Sequence, residues 1–98
     1  MLIAKLHKQV NGTRVLALCD KDILGKKFSE GKIQIDLSSN FYNGSGVSDA
    51  DLIKLMNSAN ILNIVGEKAV GFAVKYDVVD KGNVLLVSGI PHAQVVKV

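Results

Sequence analysis

The sequence predicts a single small α+β domain, with a mixed or antiparallel sheet, an N-terminal β-hairpin and two main helices. Three observations support this fold class. The chain has 98 residues, of which 48% are hydrophobic and 21% charged, so it can bury roughly two-thirds of its unfolded surface in one core. An Asn-Gly pair separates two strand-like segments near the N-terminus. Apolar residues recur at helical spacing in the second half.

The N-terminal hairpin is predicted from Asn11-Gly12, which stands between LIAKLHKQV and TRVLALC. A two-residue type I′ turn needs positive φ at both positions, and Asn-Gly suits it. This turn would pair Val10 with Thr13 and Lys5 with Leu18. One face would be core, and it holds Ala4, Leu6, Val10, Val15, Ala17 and Cys19. The other would face outward with Lys5, His7, Gln9, Arg14, Leu16 and Leu18. A slip of one residue would exchange the faces.

The middle of the chain is less regular. Residues 20–28 are typical of a short helical turn that ends near Gly25, and residues 32–37 alternate like a strand. Residues 38–46 are rich in Ser, Asn and Gly and predict a loop. Two aromatic residues, Phe41 and Tyr42, interrupt this polar segment. They either anchor the loop on the core or offer an exposed stacking surface to a base or a partner.

Two helices and three strands are predicted after residue 47. Ser48 and Asp51 fit a capping box, and a stripe follows at Leu52, Leu55, Met56 and Ala59. A strand at 60–65 leads through Gly66 to a largely buried helix at 67–76. A turn at 80–83 is followed by strands at 84–87 and 93–98, with a turn at 88–91 between them.

His92 follows Pro91, which would hold it rigidly at a strand start. A histidine there can act as a general base or bind phosphate, but a hydrogen-bonded structural role is the more frequent one. Gln94 lies two residues on and points to the same side of a regular strand. The pair would then supply donors and acceptors for recognition.

Nothing in the sequence indicates a catalytic nucleophile, a metal site or a cofactor. Cys19 lies on the apolar face of its strand, where a buried thiol stays protonated. The two histidines and one cysteine lack metal-ligand spacing, and no P-loop is present. Asn63 and Gly66 precede a helix, whose free N–H groups can bind an anion. This anion site is a weaker interpretation than a plain helix start.

Charge is unevenly distributed along the chain. The net charge is +3, but residues 1–32 alone carry +4 and the remainder −1. A basic segment can attract phosphate backbones, or it can be a solvated lysine face that protects sheet edges. No apolar run approaches the roughly 20 residues of a membrane span, and the start lacks the apolar core of a signal peptide. With a single cysteine, these features favour the cytoplasm.

Several short motifs resemble a family of small archaeal proteins of unknown function. They are Cys19-Asp20, Leu24-Gly25, Phe28, Glu30-Gly31, Phe41-Tyr42-x-Gly44, Asn63-x-x-Gly66 and Gly89-x-Pro91-His92-Ala93-Gln94-Val95. The Pro-His-Ala-Gln segment is the most specific of them. The resemblance implies an archaeal, cytoplasmic, single-domain protein, and an association with RNA or translation.

Three functions are compatible with the sequence. The favoured one is an accessory module that binds RNA, ribosomes or other translation components. Its contacts would come from Lys5, His7, Arg14, Lys26, Lys27, Phe41, Tyr42, His92 and Gln94. The second is a small-ligand or enzymatic site formed by His92, Gln94, Asn63 and Gly66. The third is a protein-interaction module or homo-oligomer, paired through an edge strand at 84–87 or through Val95, Val96 and Val98. No membrane partner is expected.

Overall fold

A six-stranded sheet carries two helices on one face and a two-stranded hairpin with a loop on the other, in a computed structural model that describes residues 1–97. The predicted α+β fold with two helices is therefore confirmed. The predicted last strand includes Val98, which lies outside the described residues. The strands are β1 (Leu2–Lys8), β2 (Arg14–Asp20), β3 (Lys27–Glu30), β4 (Ile33–Asp36), β5 (Ser45–Gly46), β6 (Ile61–Val65), β7 (Leu85–Val87) and β8 (Ile90–Val96). The helices are α1 (Asp49–Ser58) and α2 (Glu67–Lys75).

The main sheet has the order β5-β1-β2-β6-β8-β7, and β3 pairs separately with β4. The strands β2 and β6 are parallel, because the chain between them crosses over through α1, and the other pairs are antiparallel. Residues 15–20 of β2 are all buried. The helices cover one face of this strand, and the β3–β4 hairpin lies on the other together with the loop that carries Phe41 and Tyr42, which we call the aromatic loop. A strand covered on both faces is expected to be mostly apolar, as residues 15–19 of β2 are.

The first hairpin forms, but its predicted register is wrong by one residue. Lys8 pairs with Arg14 and Leu6 with Leu16, so the loop holds three residues rather than two. The N–H of Gly12 donates to Gln9 (3.0 Å), and Gly12 has φ +89°, as in a turn followed by a left-handed residue. Leu16 and Leu18 therefore join Ala4 and Leu6 on the helix side, and Ala17 and Cys19 join Ile3 on the hairpin side. Because both faces of β2 are apolar, the alternation of apolar and polar residues could not determine the register of the hairpin.

The two-residue turn that was assigned to Asn11-Gly12 occurs instead at Ser88-Gly89. Both residues have positive φ (50° and 80°), and Val87 pairs directly with Ile90. The predicted turn at 88–91 was therefore too long, and β8 begins at Ile90 rather than Ala93. Pro91 lies within the strand, and His92 lies in its interior between Val65 and Leu85 rather than at its start.

The strands β3 and β5 were missed from the sequence. The predicted helical turn is present only as a 3-10 turn at residues 21–23, and β3 follows it. The strand β5 has only two residues, which pair with Ile3 and Ala4 of β1. Such a short strand has no periodicity to detect. The predicted helix start is confirmed, since the hydroxyl of Ser48 accepts the N–H of Asp51 (3.2 Å).

The carboxylate of Asp20 binds the N-terminus of α2. Asp20 ends β2 and is only 6% exposed. Its two oxygens accept the N–H groups of Lys68 (3.0 Å) and Ala69 (2.7 Å), which otherwise lack partners at a helix start. Gly66 precedes the helix at φ 114°, ψ 155°, a region that is essentially restricted to glycine. A Cβ at Gly66 would lie 2.5 Å from the Asp20 carboxylate.

Removal of this carboxylate should destabilise the fold. We expect Asp20→Ala to lower the free energy of unfolding by about 2–3 kcal/mol, because two charge-assisted bonds are lost and the buried N–H group of Ala69 is left without a partner. Urea denaturation followed by circular dichroism measures the change. The matched control is Asp22→Ala, which removes an exposed carboxylate two residues away and should change stability by less than about 0.5 kcal/mol. Equal effects of the two substitutions would contradict this role of Asp20.

Candidate functional site

The hairpin side of the sheet contains most of the polar residues that the sequence singles out. Strand pairing aligns Lys5, Ala17, Asn63 and Gln94 in one row across β1, β2, β6 and β8. The adjacent row contains Ile3, Cys19, Val65, His92 and Leu85. Residues paired across neighbouring strands point to the same face, so these side chains share one side of the sheet.

At the β1 end of this face, basic residues hold the aromatic loop. The ammonium group of Lys5 donates to the backbone oxygen of Asn40 (2.8 Å), and Nε2 of His7 lies 2.9 Å from the oxygen of Phe41. The His7 ring also stacks on Phe41 at 4.7 Å between ring centroids, with 4° between planes. Phe41 meets Tyr42 edge-on, and Tyr42 is buried. The aromatic pair therefore anchors the loop, and burial raises the pKa of Tyr42 to about 12.

At the β6, β8 and β7 end, the same face is less covered. We call this region the open face, and define it by Ile61, Asn63, Leu85, His92, Gln94 and Val96. Every one of these side chains is at least partly exposed, and Leu85 and Val96 are 56% and 63% exposed. Asn63 and Gln94 are paired across β6 and β8, and no side-chain hydrogen bond of either amide forms within residues 1–97. The open face therefore presents two adjacent free amides between apolar side chains.

His92 lies at the boundary of the open face. Its Nδ1 atom is buried and has no hydrogen-bond partner in the part of the chain that the structure describes. The structural role that the sequence favours for His92 would require a hydrogen-bond partner, and Nδ1 does not have one among these residues. Burial lowers the pKa of His92 below its usual 6.5, because the cationic ring loses hydration. The neutral ring is therefore the form that the folded protein favours at neutral pH.

The remaining residues of the predicted RNA contact lie apart from the open face. Arg14 pairs with Lys8 and so points to the helix side of the sheet. Lys26 and Lys27 are exposed next to and within β3, on the separate hairpin. The structure thus brings Lys5, His7, Phe41, His92, Gln94 and Asn63 to one face of the sheet. It places Arg14, Lys26 and Lys27 elsewhere, and it buries Tyr42.

The helix start at Gly66 is separated from the open face. The carboxylate of Asp20 already occupies its N–H groups, and Asp20 points to the helix side of the sheet because it pairs with Leu2. An external anion would have to displace this carboxylate. Sequence reasoning missed Asp20, because the contact joins residues 48 and 49 positions apart and no local pattern indicates it.

Cys19 and the acidic residues offer no evident reactive centre. Burial, with a smaller contribution from the charge of Asp20, raises the pKa of the Cys19 thiol to about 11. The thiol therefore remains protonated at neutral pH. Within residues 1–97, no three His, Cys, Asp or Glu side chains gather in a way that could hold a metal ion. No helix in the same range is long and apolar enough to cross a membrane.

Comparison with known proteins identifies a family and a fold. The family model described as "Protein of unknown function (DUF424)" matches residues 7–98. No curated protein matches the sequence. The fold is similar to the crystal structure of an uncharacterized conserved protein from Methanopyrus kandleri, with a TM-score of 0.80 and 23% sequence identity. That similarity covers 99% of this chain and 93% of the other.

The buried imidazole should make stability depend on pH in a specific direction. The folded protein favours neutral His92, so the unfolded chain takes up this proton first as pH falls through about 6.5. We therefore expect the contribution of His92 to the free energy of unfolding to be fully present above about pH 6.5 and to be lost progressively as the pH falls below it. The urea midpoint of the wild type should fall further between about pH 8 and pH 5 than that of His92→Gln. Parallel pH profiles for the two proteins would contradict the conclusion that the folded protein favours the neutral ring of His92.

Proposed function

The chain belongs to the DUF424 family of proteins of unknown function, and we propose that it binds single-stranded RNA across the open face. The observation that carries this proposal is the pairing of Asn63 with Gln94 across β6 and β8. Each amide offers two donors and one acceptor oxygen, which can meet the edges of unpaired bases. Bases within a duplex do not present their Watson–Crick edges, so a single strand is the form that suits the site.

The surroundings of the two amides suit an unstacked strand. Ile61, Val96 and Leu85 supply apolar surface beside the amides, against which the faces of bases or sugars can pack. His92 lies in the neighbouring row, and Nε2 of its favoured neutral ring can donate or accept a hydrogen bond, depending on the tautomer, while Nδ1 is buried. A surface of this kind supports modest sequence preference through hydrogen bonds, with packing contacts that any base can make.

Positive charge lies at the β1 end of the same face. Lys5 uses one of the three donors of its ammonium group on Asn40, which leaves two for phosphate oxygens. Lys8 and Arg14 are also exposed at that end of the first hairpin, but they pair with each other and point to the helix side of the sheet, so they are not part of this face. We expect one or two phosphate contacts, which corresponds to a logarithmic salt slope of about −0.7 to −1.4 for a single strand. This is the modest electrostatic contribution that a net charge of +3 supports.

The test is fluorescence anisotropy with a labelled single-stranded RNA of mixed sequence and its duplex, from about 50 to about 300 mM salt. We expect the single strand to bind more tightly than the duplex, with affinity that falls as salt rises. The double variant Asn63→Ala/Gln94→Ala should raise Kd about tenfold or more, because each lost hydrogen bond contributes about 0.5–1.5 kcal/mol.

The matched control is Gln34→Ala, which removes an exposed amide from β4 on the separate hairpin. It should leave Kd unchanged. Urea denaturation establishes that the double variant is folded. The proposal fails if the wild type does not bind single-stranded RNA at low salt, if affinity is independent of salt, or if the double variant and the control bind equally well.

A further inference from the structure

The outer edge of β7 exposes unpaired backbone. In the two-residue hairpin of β7 and β8, Val87 and Ile90 form the closing pair and exchange hydrogen bonds. The next residue, Leu86, therefore directs its N–H and C=O away from β8 and off the sheet. Its neighbours on the edge are already engaged. The N–H of Ser88 donates to the Glu30 carboxylate (3.0 Å), and that of Val84 donates to Lys81 (3.3 Å).

An apolar groove of about 490 Å³ lies beside this edge, on the helix side of the sheet. Leu86 is 62% exposed, although it belongs to the strand. Gly71 lies in the middle of α2, where glycine is less favourable than alanine. Within residues 1–97, and apart from its chain neighbours and the backbone of its own helix, no atom lies within 4 Å of the position a Cβ would take. We call this region the α2–β7 groove. It is lined by Val70, Gly71, Val74, Val84, Leu86 and Pro91, with Glu67 and Lys81 beside them.

The two charged residues lie at opposite ends of the groove. The helix α2 starts where β6 ends, and β7 also ends there, because it is antiparallel to β8 and β8 is antiparallel to β6. Glu67 in the first turn of α2 is therefore near the C-terminal end of β7. Lys81 precedes β7 and lies at its N-terminal end. The groove is negative at one end and positive at the other.

From this arrangement we infer that the α2–β7 groove binds a second copy of the chain, as a two-fold dimer centred on Leu86. Antiparallel pairing of the two β7 strands lets each Leu86 exchange its free N–H and C=O with the other. The same rotation brings the Lys81 end of one groove toward the Glu67 end of the other. A two-fold contact requires a self-complementary surface, and this edge meets that requirement in backbone, apolar and charged groups.

The dimer should be weak and specific. Because the N–H groups of Ser88 and Val84 already have partners within the chain, hydrogen bonding between the two β7 strands is confined to the Leu86 pair. Most of the binding free energy must therefore come from burying Leu86 and the groove residues. A small interface of this kind is typical of weak association. It lies on the face of the sheet opposite the open face, so the inference does not depend on RNA binding.

Sedimentation velocity of the full chain over a range of concentrations tests this inference. The wild type should pass from monomer to dimer, and Leu86→Asp should remain monomeric or raise the dissociation constant more than about tenfold. The control is Val96→Asp, which places the same charge on a similarly exposed residue of the opposite face and should leave dimerisation unchanged.

Charge reversal then tests the arrangement itself. Glu67→Lys and Lys81→Glu should each weaken the dimer, and the variant that carries both should regain it, because each new lysine faces a new glutamate. Circular dichroism establishes that each variant is folded. A wild type that stays monomeric at millimolar concentration overturns the inference. So does a dimer that survives Leu86→Asp, or a double reversal that does not recover.

Discussion

Asp20 lies at a junction of three parts of the chain that are distant in sequence. It ends β2, binds the first free N–H groups of α2 and packs against Gly66, which lacks a side chain at that point. The N–H of Gly66 in turn donates to Pro91 (2.9 Å) at the start of β8. The orientation of α2, the end of β6 and the register of β8 are therefore fixed at one junction. The alignment of Gln94 with Asn63 depends on that register.

The sequence is enough to predict those elements that depend on residues close to one another along the chain. The cap at Ser48, the stripe of α1 and the alternation of β4 all need only nearby residues. The register of the first hairpin was not predictable in this way, because both faces of β2 are apolar and either alignment buries hydrophobic side chains. The junction at Asp20 and the anchoring of Phe41 by His7 depend on contacts across 34 to 49 positions. Such contacts leave no periodic trace.

The two faces of the sheet differ in what they offer to other molecules. On the helix side, the α2–β7 groove is apolar, has opposite charges at its two ends and lies next to the unpaired backbone of Leu86. On the hairpin side, the open face combines amides, an imidazole and apolar side chains, with Lys5 and His7 in the same rows toward β1. The basic residues that hold the aromatic loop thus have a structural use in the free protein. Phosphate contacts would use only the hydrogen-bond donors that are not engaged in holding the aromatic loop.

The most direct test of RNA binding at the open face is an NMR titration of the isotope-labelled protein with single-stranded RNA. If the open face is the binding surface, the backbone amides of residues 61–65 and 92–96 and the side-chain amides of Asn63 and Gln94 should shift. The helices α1 and α2 and the β3–β4 hairpin should change little. Shifts concentrated at Lys26 and Lys27, on the helices, or on no residues at all would contradict the assignment of RNA binding to the open face.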